Sequence, residues 1–252
     1  MTRLQTEFHR LYRPHPAPAD DTPPAGLIDD LGRVRALVLE VTAPADWDEL
    51  AKVWRGVQAD LGLPPPAIAA SGTDGLQLWF SLSEPLAVAP AQAFLEALRR
   101  RYLPELTARR VRLWPAQEAA GVRHAQPVPM LMEASGNWSA FVASDLAPLF
   151  ADTPWLDVPP GDDGQAHLLS GLSSISPALL ANALTLLTPV NVAEPAATDR
   201  ANRDDRASAH RMDATGSPDP KAFLQAVMND ASVPLALRIE AAKALLPHTT
   251  AR

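Results

Sequence analysis

The sequence predicts an α+β fold, because patterns typical of strands and of amphipathic helices alternate along roughly its first 190 residues. A continuous run of apolar, mostly branched residues from Arg33 to Thr42 is typical of a strand buried on both faces. Apolar and polar residues then alternate from Leu76 to Leu82, which is the period of a half-buried strand. Apolar residues recur at helical spacing over 50–61 and 94–102.

The elements follow one another in the order strand, helix, strand, strand, helix, strand. Asp46 is expected to cap the first helix, with Glu49 in capping-box spacing, and the prolines at 64–66 end that helix. The second and third strands form a hairpin over 67–82, around a tight turn at 72–75. Each of these features is local, so each element is predicted from its own residues.

Pro90 is expected to start the second helix, and 110–114 alternates as the fourth strand. This order is that of the split βαβ, ferredoxin-like (RRM-like) fold, in which the first and third strands are neighbours at the sheet centre. Side chains at 77, 79 and 81 point away from the helix-covered face. Trp79 is therefore exposed on the open face, or belongs to the core if the additional strands cover that face.

We expect four regions along the chain. They are an N-terminal extension (1–32), an α/β domain (33–190), a disordered linker (191–217) and a helical hairpin (218–252). The extension holds a helix over 2–12 and a proline-rich segment over 14–24. Added to the core we predict a strand pair at 128–132 and 138–142, a helix at 146–150 capped by Ser144, and helices at 165–172 and 177–187.

The C-terminal hairpin is too short to bury a core alone, so we expect it to dock on the main domain, self-associate or bind another molecule. Its predicted partner-binding residues are Phe223, Val227, Leu235 and Ile239. It loosely resembles helical segments of phage DNA-packaging small subunits and other phage-derived proteins. The linker before it is polar and of mixed charge, which is typical of disorder.

Composition excludes several classes of protein. The chain has no cysteine, which excludes disulfides and thiolate metal sites. It has no signal-like apolar run at 1–13 and no apolar stretch of membrane-spanning length, so we expect a cytoplasmic protein without a membrane role. The net charge of −7 argues against coating of nucleic acid. The candidate nucleic-acid patch is Arg99, Arg100, Arg101, Arg110 and Arg112, although a helix C-terminus alone favours the first three.

A group of polar residues lies at one end of the predicted central strands. Glu40 and Thr42 lie one residue apart near the end of the first strand and point the same way. The neighbouring hairpin has Ser71-Gly72 in its turn, and its next strand begins Gly75-Leu76-Gln77-Leu78-Trp79.

The segment 34–82, with a fainter echo at 135–138, resembles the archaeo-eukaryotic primase-polymerase family, above all the small plasmid and phage replication primases. The resemblance implies a ferredoxin-like catalytic core and two-metal nucleotidyl transfer. In that chemistry a pair of strand carboxylates and a third acid hold divalent cations, while a serine and a histidine hold the nucleotide phosphates.

The sequence departs from the family at the catalytic positions. Thr42 replaces the second carboxylate, and Gln77, which cannot carry charge, stands where histidine is expected. The hairpin turn also has an extra residue before Gly75. The resemblance therefore implies a non-catalytic protein without a cofactor, with Mg²⁺ or Mn²⁺ only if nucleotidyltransferase activity remains. The candidate nucleotide-binding residues, which we expect to share one water-accessible hollow, are Glu40, Thr42, Ser71, Gly72, Gly75 and Gln77.

Other interpretations of these residues stay open. Glu40 is also explained as a strand-end acid paired with an arginine, and 71–75 as an ordinary hairpin turn. Three hypotheses follow: a non-catalytic primase-like protein of a prophage or plasmid that contacts nucleotide or single-stranded nucleic acid, a ferredoxin-like protein-interaction module with a partner-binding tail, and an enzyme with an unrecognised site.

Overall fold

The computed structural model describes residues 1–14, 26–119 and 121–188 of the chain. The predicted linker (191–217) and helical hairpin, with Phe223, Val227, Leu235 and Ile239, lie outside the described residues. The elements are α1 (Arg3–Tyr12), β1 (Arg33–Thr42), α2 (Trp47–Ala59), β2 (Ala67–Ala70), β3 (Gly75–Ala87), α3 (Val88–Tyr102), β4 (Val111–Trp114), β5 (Ala116–Glu118), β6 (Gly121–Arg123), β7 (Leu131–Met132), β8 (Asn137–Trp138), β9 (Ala140–Val142), α4 (Asp162–Ser170) and α5 (Pro177–Leu187).

The described residues have a mixed α/β architecture built on a five-stranded sheet. The strands lie in the order β4-β1-β3-β2-β9, and each neighbouring pair is antiparallel. The predicted pairing of the first and third strands is confirmed, since β1 and β3 are partners along most of their length. Two small hairpins, β5–β6 and β7–β8, lie outside this sheet.

The sheet is buried on both faces. One face packs against α2, α3 and α5, and its core includes Leu39, Phe80 and Phe94. The other face packs against α1 and α4, and its core includes Trp79 and Phe141. The expectation that β1 is buried on both faces is confirmed, because all its residues except Arg33 are buried.

The prediction that the third strand is half-buried is wrong. Its side chains at 77, 79 and 81 are buried as well, because α1 and α4 cover that face. Trp79 is therefore a core residue: its ring packs edge-on against Tyr12 at 5.3 Å and against Phe141 at 6.0 Å. The indole N–H of Trp79 is satisfied inside the protein by Gln77.

Two arginines fasten α1 to this face. Arg10 donates to the carbonyls of Leu169 and Leu172 at the end of α4. The buried Arg35 of β1 donates in turn to the carbonyls of Arg10 and Arg13 at the end of α1. The last carbonyls of a helix lack partners within the helix and carry partial negative charge, so each guanidinium stabilises the helix end that it contacts.

The predicted start is right for helix α2, whereas α3 and α4 begin earlier than predicted. The Asp46 carboxylate accepts from the Glu49 N–H, as predicted, but Glu49 pairs with Lys52 rather than completing a capping box. Helix α3 begins at Val88, two residues before Pro90, and has no side-chain cap. Helix α4 begins at Asp162, three residues earlier than expected.

The region after the core differs from expectation. The predicted strand pair 128–132 and 138–142 divides: 131–132 and 137–138 form the β7–β8 hairpin, whereas β9 joins the main sheet beside β2. Ser144 does not cap a helix, since a single 3₁₀ turn starts at Ala147.

Strand β9 forms one edge of the sheet, and a side chain completes its hydrogen bonding. The Gln165 amide of α4 accepts from the Phe141 N–H at 2.7 Å and donates to the Phe141 carbonyl at 2.9 Å. Among the described helices, none combines the length and apolar character needed to cross a membrane.

Candidate functional site

The fold brings the six candidate nucleotide-binding residues to one end of the sheet. In the register of β1 and β3, Glu40 lies opposite Gln77 and Thr42 opposite Gly75. The turn from Ser71 to Gly75 joins β2 to β3 at the same end. Side chains at 40, 42 and 77 point to the face covered by α1 and α4, because they lie an even number of residues from Val38 or Trp79 on the same strand, and these two residues belong to that core.

Glu40 is sealed within the protein, with 2% of its surface exposed. One carboxylate oxygen accepts from the Gln77 amide at 3.0 Å and the other from the Arg112 guanidinium at 3.3 Å. Burial raises the pKa of Glu40 to about 7, although the hydrogen bond from Gln77 and the charge of Arg112 oppose the rise. Gly75 lies against this carboxylate, and a Cβ there would overlap it.

Gln77 is hydrogen bonded at both ends of its side-chain amide. Its amide nitrogen donates to Glu40, and its amide oxygen accepts from the Trp79 indole N–H at 2.8 Å. The side chain is buried, so it links the carboxylate to the aromatic core rather than facing solvent. A polar chain therefore runs from Arg112 through Glu40 and Gln77 to Trp79.

The Ser71 turn holds itself together. The Ser71 hydroxyl oxygen accepts from the backbone N–H groups of Thr73 at 3.2 Å and Gly75 at 3.0 Å. Gly72 has a positive φ of 82°, which favours glycine, and its N–H donates to the Pro154 carbonyl. The Met132 side chain covers Gly72 so closely that a Cβ would not fit.

The expectation of a shared, water-accessible hollow is therefore wrong. Glu40 and Ser71 lie at the same end of the sheet, but both are buried. Thr42 is buried too, and its hydroxyl donates to the Arg110 carbonyl at 3.5 Å. The sequence predicted the right neighbours but not their covering, because Met132, which covers Gly72, and Arg112, which contacts Glu40, are distant from them in sequence.

The predicted arginine patch is largely engaged within the protein. Arg110 donates to the carbonyls of Thr42 and Pro44. Arg99 pairs with Glu96 at 2.6 Å, and Arg101 lies 3.6 Å from Asp60. These contacts give the guanidinium groups structural roles.

Among the arginines of residues 99–112, Arg100 and Arg109 make the fewest contacts within the described part of the chain. Arg100 makes one long contact of 3.4 Å with a backbone carbonyl, and Arg109 is exposed without an ion-pair partner among the described residues.

Asp74 is the site residue that sequence reasoning missed. Both of its carboxylate oxygens accept from the Arg112 guanidinium, at 2.9 and 3.0 Å. The sequence contains one signal for it, since the turn carries an extra residue before Gly75. The Arg112–Asp74 pair lies at the surface, next to the buried Glu40 carboxylate.

The described residues contain no group of three or more His, Cys, Asp or Glu side chains placed to hold a metal ion. The buried polar residues at this end of the sheet instead form a chain of hydrogen bonds from Arg112 through Glu40 and Gln77 to Trp79. The sequence matches no known protein-family model, and no curated protein is similar to it at a significant level.

Proposed function

We propose that the chain is a non-catalytic, primase-like protein of a mobile genetic element, acting in the cytoplasm, that contacts nucleotide or nucleic acid. A ferredoxin-like core is part of this proposal. The order β4-β1-β3-β2 in an antiparallel sheet supports it, as do the helices α2 and α3 that connect β1 to β2 and β3 to β4. In this interpretation β9 extends the core sheet at its edge.

The observation that carries the proposal is that the motif residues lie together at one end of the sheet and form their hydrogen bonds inside the protein. Glu40, Gln77 and the Ser71 turn occupy neighbouring positions at one end of the central strands, as the primase resemblance implies. Each of their side chains is hydrogen bonded within the protein. A carboxylate that already accepts from Gln77 and Arg112 is poorly suited to hold a catalytic cation.

Contact with nucleic acid is supported by an uneven distribution of charge. Residues 99–123 contain seven arginines against two glutamates, and three of these arginines pair with acids from outside the stretch, Glu96, Asp60 and Asp74. Residues 124–188 contain six acidic residues and no lysine or arginine. The first stretch supplies β4 and the second supplies β9, which lie at opposite edges of the sheet. A phosphate backbone would therefore be attracted to the β4 side, despite the net charge of −7.

The test is binding of single-stranded DNA across a salt series. The double substitution Arg100→Ala/Arg109→Ala removes exposed guanidinium groups without breaking an ion pair in the described part of the chain. If both contact phosphates, the slope of log K against log salt falls by about 1.4, at about 0.7 per phosphate on a single strand. The matched control is Arg3→Ala/Arg55→Ala, which removes the same charge from exposed helix positions elsewhere. Equal losses in the two variants, or no binding by the wild type, would refute the proposal.

A protein-interaction module is the second candidate, and exposed apolar surface favours it. A groove of about 190 Å³ beside β9 is lined by Trp54, Pro66, Val142 and Leu172, among others. Leu149 and Val158 are 71% and 65% exposed. This alternative predicts association with a second protein molecule that Leu149→Glu weakens. Where that second molecule is another copy of this chain, sedimentation over a concentration series measures the association. Identical profiles at all concentrations would exclude self-association.

A further inference from the structure

The carboxylate of Asp74 is held by a set of donors that also suits a phosphate group. The Arg112 guanidinium gives it two parallel hydrogen bonds, and the Thr73 hydroxyl donates to the same carboxylate at 3.2 Å. A planar guanidinium binds carboxylates and phosphates with the same two-pronged geometry. The side chains of Arg112 and Asp74 are 45% and 43% exposed, so a ligand from solvent can reach them.

Arg112 is held in place independently of Asp74. Its backbone belongs to β4, opposite Glu40 in the register with β1, and its guanidinium also donates to the buried Glu40 carboxylate. Withdrawal of the Asp74 carboxylate would therefore leave the guanidinium in position, with two donor groups free. A donor that is already ordered loses less conformational entropy when it binds a ligand.

We propose that Asp74 masks an anion site made by Arg112 and Thr73, and that the ligand of this site is a phosphate monoester such as the terminal phosphate of a nucleotide. This inference rests on the proposed function and specifies its ligand. In the masked state the turn carboxylate occupies the phosphate position. Binding requires the Asp74 side chain to rotate into solvent, which its exposure permits.

The experiment measures binding of deoxyadenosine 5′-monophosphate to the full chain by calorimetry. Asp74→Asn keeps the shape of the side chain and removes its charge, so it is expected to bind at least about tenfold more tightly than the wild type. The matched control is Asp60→Asn, which removes the same charge from an exposed aspartate near Arg101. Deoxyadenosine, which lacks the phosphate, should show no gain, and inorganic phosphate should compete.

Arg112→Lys in the Asp74→Asn background keeps the positive charge but loses the two-pronged geometry, so the gain should disappear. If Asp74→Asn fails to fold, as judged by circular dichroism, Asp74→Ser serves in its place. Equal affinities of the Asp74 and Asp60 variants would overturn the masked site. That result would not affect the test of DNA binding through Arg100 and Arg109. Conversely, if the wild type does not bind DNA but Asp74→Asn still binds the monophosphate more tightly, only the proposed function is overturned.

Discussion

Glu40 makes the stability of this protein depend on pH in a direction opposite to that of most carboxylates. Its pKa is raised to about 7 in the folded chain, against an ordinary value of 4.5. Below about pH 4.5 the group is protonated in both the folded and unfolded states, so its ionisation does not affect folding. As the pH rises, the unfolded chain releases this proton first, and the folded state loses stability until about pH 7.

The size of the effect follows from the two pKa values. The difference between about 7 and 4.5 corresponds to about 3 kcal/mol of unfolding free energy. Glu40→Gln cannot ionise at this position and otherwise keeps the size of the side chain. The stability of the wild type relative to this variant should therefore fall by about 3 kcal/mol between pH 4.5 and pH 8.

Urea unfolding at several pH values, followed by tryptophan fluorescence, measures this difference. All six tryptophans lie within the described residues, so the signal reports on the unit that contains Glu40. Other titrating groups are common to both proteins and cancel in the difference. Parallel stability curves for the two proteins over this range would show that burial does not control the ionisation of Glu40.

Two further predictions concern packing around the same sheet. Gly75→Ala should destabilise the protein by about 1–3 kcal/mol, because the new methyl group overlaps the Glu40 carboxylate. Gly161→Ala, where the added atom meets open space, is its control, and equal midpoints in urea would contradict the reasoning. Tyr12→Phe should leave stability unchanged or raise it by about 1 kcal/mol, because the buried hydroxyl has no hydrogen-bond partner in the described structure. A clear loss in thermal unfolding would show that this hydroxyl is satisfied.

Local patterns in the sequence predicted the strands and helices of the central sheet well. The apolar run of β1 and the Asp46 cap depend on neighbouring residues, and the structure contains both. The alternation along β3 predicted the direction of each side chain, but not that the polar side would be buried. Periodicity reports which residues share a face, whereas the covering of that face depends on α1 and α4, which are remote in sequence.

The sequence predicted where the candidate site lies, but wrongly predicted that its residues face water. Strand register placed Glu40 beside Gln77, as expected from neighbouring central strands. From the sequence alone, the same residues fit a ligand-binding site or a hydrogen-bond network inside the protein, because both use the same kinds of side chain. The contacts of Arg112 with Glu40 and Asp74 favour internal partners over ligands. The sequence does not show these contacts, because they depend on how β4 and the hairpin turn meet across the sheet.

The contact between Gln165 and Phe141 has a consequence for how these molecules meet one another. A bare strand edge offers unpaired N–H and C=O groups on which a foreign strand can grow, and this is a common route to aggregation. At β9 the side-chain amide supplies both hydrogen bonds that an incoming strand would have made at Phe141. The ladder ends there, so neighbouring copies cannot continue the sheet through that residue into a fibre.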